Sequence, residues 1–281
     1  MRRGNFFSVP NFIGFHRRFM KLTGNASAVG SAKWRVTYSK IYQRNSKAMQ
    51  LFLDSSDPKE ILTAREWGVI DGVTTNPSLI AKSGTEMEAA LRAVLEASPG
   101  PVFCQVIGWK EVEPLVAQAR WLNAFSDRII VKIPMGVAGI TAVRQLKQEN
   151  PKIKLAVTAV STVAQAILVA KARADIVAIF NGPLDLEQDE PVRIVAPIRA
   201  IYDRSGFTTK ILSAGRFPRS FGEYAADGTD IITLRMEFMK QLFEHAFTDK
   251  RVRGFLNDWE KAFGDKTWPA GPRPAAKRKR L

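Results

Sequence analysis

Cysteine is almost missing from this sequence. Cys104 stands alone, so no disulfide can form within the chain, and the thiol content fits a reducing compartment. Histidine is nearly as scarce, with His16 near the N-terminus and His245 far downstream. A metal site built on His and Cys is therefore poorly supplied, and a Ser-His-Asp or Cys-His site would rest on His245 alone. That residue follows the helix-like run 238–244 and reads as a surface or packed helical side chain. No apolar run approaches the roughly 20 residues needed to span a bilayer. Neither GxGxxG nor GxxxxGK[ST] occurs, which leaves dinucleotide and P-loop readings without an anchor.

Acidic residues are absent from both ends. Residues 1–48 hold ten Lys/Arg and no Asp or Glu, and residues 267–281 hold five Lys/Arg and no acid. The body between them has 27 basic and 27 acidic residues, so the net charge of +15 belongs to the ends. Nucleic-acid binding by the body lacks the clustered excess of Lys/Arg that phosphate neutralisation needs. Segment 1–48 reads as an extension: a transit peptide, a disordered basic arm, or the product of a start placed upstream of Met49. Segment 266–281 reads as a Pro/Gly tail ending in Lys277-Arg278-Lys279-Arg280, either solvated or a nuclear-type address. The location expected is cytoplasmic, or mitochondrial if 1–48 is a transit peptide.

Segment 49–265 is a regular alternation. Short apolar runs fall at 51–54, 72–75, 102–106, 129–133, 154–158, 176–180, 210–213 and 230–234. A helical stretch follows each. Asp57-Pro58 supplies a cap and a proline at the first helical position. Val163, Ile167, Leu168 and Ala172 mark an apolar face at helical spacing. Eight such units predict an α/β fold, a closed (β/α)₈ TIM barrel, rather than an open doubly wound sheet.

In a barrel of this kind the active site lies at the C-terminal ends of the strands. Asp54 ends the first run, Thr74, Thr75 and Asn76 the second, and Phe180 the sixth. Gln105, Lys132 and Thr158 lie at or near the ends of the third, fourth and fifth. A strand buried on both faces is apolar throughout, and Ile129-Ile130-Val131-Lys132-Ile133-Pro134 breaks that pattern only at the lysine. Alone, such a lysine is as readily a snorkelling side chain. Held inside, it loses its proton easily, and a neutral amine attacks a ketone to form an imine. Asp54 suits proton transfer, Thr74, Thr75 and Asn76 suit substrate hydroxyls, and Gln105 and Thr158 suit a bound water.

Leu51-Phe52-Leu53-Asp54-Ser55-Ser56-Asp57, Gly72-Val73-Thr74-Thr75-Asn76-Pro77-Ser78, Ile130-Val131-Lys132-Ile133-Pro134 and Phe255-Leu256-Asn257-Asp258-Trp259 resemble the motifs of the small transaldolase and fructose-6-phosphate aldolase family. The similarity runs in order over about 49–264, with the family's start at Met49. It implies a barrel with an added C-terminal helix, Lys132 as the imine-forming residue, and Asp54 and Asn76 assisting it. It implies transfer or release of a dihydroxyacetone unit from a ketose such as fructose 6-phosphate, in carbohydrate metabolism and the pentose phosphate pathway. No cofactor or metal is called for. Rings of five, stacked as ten, are common in the family, with the C-terminal helix reaching a neighbour.

Departures from the family pattern bear on the chemistry. The aldolase subgroup pairs Gln with Tyr at the positions of Gln105 and Phe180, and the transaldolase subgroup pairs Glu with Phe. This chain has Gln and Phe, so the Glu or Tyr proton handle is missing. The family's phosphate grip has Arg where Pro183 stands and Ser where Ala214 stands; Ser213 is one residue away, and Arg216 matches. A non-phosphorylated substrate therefore enters consideration. Besides the enzyme, two other readings stand: a catalytically impaired barrel with a binding or assembly role, and a protein that meets nucleic acid through its basic ends.

Overall fold

A computed structural model describes residues 48–180 and 193–264. Segments 1–47, 181–192 and 265–281, which hold most of the basic extension, Pro183 and all of the tail, lie outside the described residues. Within the described part the chain runs β1 (Gln50–Asp54), α1 (Pro58–Glu66), β2 (Gly72–Thr74), α2 (Pro77–Lys82), α3 (Met87–Ala97) and β3 (Val102–Gln105). It continues through α4 (Val112–Phe125), β4 (Ile129–Pro134), α5 (Val137–Glu149), β5 (Leu155–Val160), α6 (Val163–Lys171) and β6 (Ile176–Ile179). After these come α7 (Val195–Ser205), β7 (Lys210–Ala214), α8 (Pro218–Ala226), β8 (Ile231–Leu234), α9 (Met236–Gln241) and α10 (Ala246–Phe263).

The eight strands pair in sequence order, all parallel, and β8 closes onto β1. This is the (β/α)₈ barrel that the alternation predicts, with each strand boundary within two residues of its expected place. Period-two alternation sorts the side chains. Phe52, Phe103, Ile130, Ala156, Ile176, Ala178, Leu212 and Ile231 form a small cluster inside the barrel. Leu53, Val73, Cys104, Val131, Ile133, Val157, Val177, Ile211 and Ile232 join the larger core between sheet and helices. Phe52 and Phe103 meet edge to face at 5.4 Å in the interior. Gly72 is required there, because any side chain at that position would run into the Phe52 ring.

The N-terminal ends of the strands are stapled by charge. Asp71, Asp175 and Asp230 each precede a strand and accept the backbone N–H of Leu51, Leu155 and Ile211 at 2.8, 2.8 and 2.7 Å. Each returns its own N–H to the carbonyl of the same residue. Ahead of β4, Arg128 donates to the carbonyls of Leu95, Ser98 and Gly100 at 2.7–2.8 Å. These contacts secure the closed end of the barrel and leave the opposite end for chemistry.

The C-terminal region differs in detail from the sequence expectation. The helix-like run containing Phe238 ends at Gln241, and His245 is not helical. It caps α10, its Nδ1 accepting the N–H of Phe247 at 3.2 Å, and it is exposed. A ring nitrogen that can accept from the first turn ends one helix and starts another. Among the described residues, no helix is long and apolar enough to cross a membrane.

Candidate active site

A cavity of about 400 Å³ opens at the C-terminal ends of the strands. Asp54, Asn76, Gln105, Lys132, Thr158, Phe180 and Arg216 line it, so seven of the residues singled out above share one space. Strand parity accounts for this. Asp54 sits two residues beyond Phe52, Gln105 two beyond Phe103, Lys132 two beyond Ile130 and Thr158 two beyond Ala156, so all continue the inward rows.

Lys132 is buried, 6% exposed. Its Nζ donates to the Thr75 carbonyl at 2.9 Å and lies 5.8 Å from the centre of the Phe103 ring. Burial pushes its pKa below the ordinary 10.5, while the Asp54 carboxylate pulls it back up. Cys104, next to it on β3, adds little charge at neutral pH, since burial raises the thiol to about 11. Lys132 thus has an easily lost proton and an amine oriented by one fixed acceptor.

Asp54 is held by a directed chain of hydroxyls. Thr74 donates to Asp54 Oδ1 at 2.7 Å, so the 2.7 Å contact between Thr74 and Thr233 must use the Thr233 proton. Asp54 Oδ2 faces Arg235, with Nε 3.9 Å away. Thr74 therefore steadies the carboxylate from below and does not line the cavity. Thr75 is spent in the wall, its hydroxyl on the Phe103 carbonyl at 2.8 Å and its own carbonyl on Lys132. Asn76 caps α2, its Oδ1 accepting the Leu79 N–H at 3.0 Å, which leaves its amide Nδ2 as the group it can offer a ligand.

Thr158 Oγ1 is buried without a hydrogen-bond partner among the described residues, and Gln105 shares its cavity. An orphaned hydroxyl in a polar cavity is a place for water or a substrate oxygen. Phe180, 36% exposed, closes one side of the cavity as plain hydrocarbon. Ser213 does not reach the cavity: parity turns it outward, where it bonds Thr229 at 2.8 Å, while Ala214 takes the inward place.

Thr233 and Arg235 also line the cavity, and neither is among the residues that the sequence pattern singles out. They continue the inward row of Ile231 on β8, and a question about what ends the eighth apolar run would have met Arg235 directly.

Residues 51–266 match the family model described as "Transaldolase/Fructose-6-phosphate aldolase". This chain belongs to that family. A "Probable transaldolase" of Kosmotoga olearia is 41% identical over 214 residues, 76% of this chain and 97% of the relative. Proteins with the same description from Coprothermobacter proteolyticus and Aquifex aeolicus are each 39% identical, over 77% and 76% of this chain and 99% and 97% of their own lengths. The matched segment contains all of the barrel's strands except Gln50, the first residue of β1, and every described residue of the cavity.

Proposed function

We propose that this family member is a class I enzyme that forms an imine between Lys132 and a ketose and passes on or releases a dihydroxyacetone unit. The observation that carries the reading is a buried lysine of lowered pKa sharing a cavity with Asp54, the one carboxylate among the described residues that line it. Neutral Lys132 attacks the C2 carbonyl of the ketose, the carbinolamine loses water to give the imine, and a proton taken from solvent on its nitrogen makes the iminium. The C3–C4 bond then breaks. Its electrons move to the iminium as an enamine, the C4 hydroxyl gives its proton to Asp54, and an aldehyde leaves. The enamine either attacks a second aldehyde, whose oxygen takes the proton back from Asp54, or takes a proton at C3; either way the iminium re-forms, and water held near Gln105 and Thr158 hydrolyses it and frees Lys132. Asn76 Nδ2 holds a donor hydroxyl through both halves.

The reaction belongs to carbohydrate metabolism, and the location we propose is the cytoplasm, with the mitochondrion as the alternative if segment 1–48 is a transit peptide. The catalytic body is 49–265. The chain also assembles with copies of itself, a reading supported by α10, whose Val252, Phe255, Leu256 and Phe263 are 49–61% exposed at helical spacing.

The test is to incubate the protein with dihydroxyacetone or fructose 6-phosphate, reduce with borohydride, and locate the adduct by mass spectrometry. The adduct is expected on Lys132 and lost in Lys132→Met. An adduct on another lysine, with Lys132 untouched, refutes the mechanism. No adduct with either donor favours a barrel kept for binding or assembly, the reading that the missing Glu or Tyr handle at Gln105 and Phe180 supports.

A further inference from the structure

We infer that Thr233 is a positioning residue for the bond-breaking step: its hydroxyl acts on Asp54 through Thr74 and keeps the carboxylate set to take the substrate's proton. This rests on the imine reading above and adds a residue to which that reading gives no part.

Barrel closure brings three side chains together that the sequence keeps far apart. Strand β1 runs between β8 and β2, with Phe52 opposite Thr233 and Asp54 opposite Thr74. Asp54 and Thr233 continue the inward rows of Phe52 and Ile231, and both line the Lys132 cavity. Thr74 is fully buried and links them, with its Oγ1 2.7 Å from Asp54 Oδ1 and 2.7 Å from Thr233 Oγ1.

Counting protons fixes the direction of this chain. An ionised carboxylate only accepts, so the single hydroxyl proton of Thr74 is spent on Asp54. Thr74 then meets Thr233 as an acceptor, and the Thr233 proton is spent on Thr74. While Asp54 is charged, no other arrangement satisfies both short contacts. Asp54 Oδ1 is therefore the anchored oxygen. Oδ2 faces Arg235 Nε at 3.9 Å, too far for a hydrogen bond, and is the oxygen free to work. In the bond-breaking step the C4 hydroxyl proton passes to Oδ2, its O–H electrons complete the aldehyde carbonyl, and the C3–C4 electrons move to the iminium. Neither threonine gains or loses a proton.

Burial gives the second hydroxyl its weight. A threonine hydroxyl rotates to suit its partners, and Thr74, with no exposed surface, has no bulk water to orient it. Among the described residues, Thr233 is the one group that donates to it. That donation occupies a lone pair of Thr74 and turns the Thr74 proton toward Asp54. Hydrogen bonds in series away from water also polarise one another, by roughly 10–30% per bond. The carboxylate that takes the proton is thus held by a pair of hydroxyls, and the outer one comes from the last strand of the barrel.

The experiment separates bond breaking from imine formation in the full chain. Protein in excess over fructose 6-phosphate or fructose, whichever the unsubstituted chain cleaves faster, reads single-turnover release of the aldehyde. Borohydride with dihydroxyacetone, which has no C4 hydroxyl, reads imine formation at Lys132. The variants are Thr233→Val, Thr233→Ser, Thr74→Val and the double variant of Thr74→Val with Thr233→Val. Cooperative thermal unfolding is the fold check, and Thr233→Ala replaces Thr233→Val if the latter does not fold. Thr233→Val is expected to slow aldehyde release about threefold to tenfold, the worth of one neutral hydrogen bond, with adduct formation unchanged. Thr233→Ser keeps the hydroxyl and should restore release. In the Thr74→Val background, Thr233→Val should cost nothing further, because a residue acting through Thr74 then has nothing to act on. Unchanged release in Thr233→Val, an equal loss of release and adduct, or no rescue by serine overturns the proposal. So does a full second loss in the double variant, which would show Thr233 meeting the substrate itself. An adduct without aldehyde release in the unsubstituted chain overturns it as well, since Asp54 then takes no proton. Absence of any Lys132 adduct in that chain is instead the failure of the imine reading, and takes this inference with it.

Discussion

Lys132 is the residue at which stability and chemistry pull apart. Burial holds its pKa below 10.5, so between its folded value and 10.5 the unfolded chain binds a proton that the folded chain does not. Stability therefore rises with pH across that window, and below it the folded state carries the full cost of a buried charge. Lys132→Met removes that cost while Thr74 still steadies Asp54. The variant is expected to abolish the adduct yet be more stable near neutral pH, on the order of 1 kcal/mol, with the gain shrinking toward pH 10.5. Urea unfolding across pH 6–10 checks this, and a less stable variant would show that the lysine is structural. Phe180 carries a second expectation. General acid–base help is worth roughly 10²–10⁴ in rate, and neither Phe180 nor Gln105 titrates near neutrality. Phe180→Tyr should raise release of free dihydroxyacetone by supplying a proton donor for the enamine carbon. Gln105→Glu should instead raise transfer to a second aldehyde. Flat or reduced rates in both variants would mean that Asp54 already handles the proton. Lys132 was legible because one charge inside an apolar strand contradicts its surroundings. Thr233 was not, because a threonine in a strand contradicts nothing, and its part depends on Thr74, 159 residues away.

At the scale of elements, the strands were legible because a barrel strand is short, apolar and flanked by turn residues. Helix α1 was legible through its chemistry: Asp57 accepts the Lys59 N–H at 2.8 Å, and Pro58 takes the first helical position. Asp57→Ala should cost about 1 kcal/mol, a Tm fall of roughly 2–4 °C for a domain of this size, while Asp57→Asn should be nearly neutral. Calorimetry on the two variants decides it, and equal losses would tie the effect to charge rather than to the cap. Where elements escaped the sequence, tertiary geometry had overridden local signals. Strand β5 runs past its expected end at residue 158 because Ala159 adopts a positive φ of 60°, and the pairing with β6 shifts register between Val157 and Val160. An alanine gives no warning of a left-handed residue, which costs it about 1–2 kcal/mol. The bulge lies beside Thr158, the buried hydroxyl left without a partner. The break between α9 and α10 was hidden for a similar reason, since the run from Phe238 to Glu244 has helical spacing throughout.

For the whole molecule, charge and apolar surface point in different directions. The net charge of +15 belongs to the ends, and the body is balanced, so charge offers the body no electrostatic partner. Apolar surface does offer one. Helix α10 is 18 residues long, about 27 Å at 1.5 Å per residue, and none of its side chains is buried. Val252, Phe255, Leu256, Trp259 and Phe263 recur at three- and four-residue steps, and Trp259 packs on Phe263 at 4.5 Å. A stripe of that length left in water is unfavourable at roughly 25 cal/mol per Å² of apolar area. A second copy of the chain would cover it. Native mass spectrometry of the full chain is expected to show a multiple of the chain mass, and Phe255→Asp with Leu256→Asp to shift it toward a single chain. Assembly unaffected by the double variant would place the contact elsewhere. A single chain in the unsubstituted protein would mean that the stripe is covered from within the chain. No described residue of the Lys132 cavity lies on α10, so the borohydride adduct should form at Lys132 even in the dissociated variant. Loss of the adduct together with assembly would show instead that a neighbouring copy completes the site.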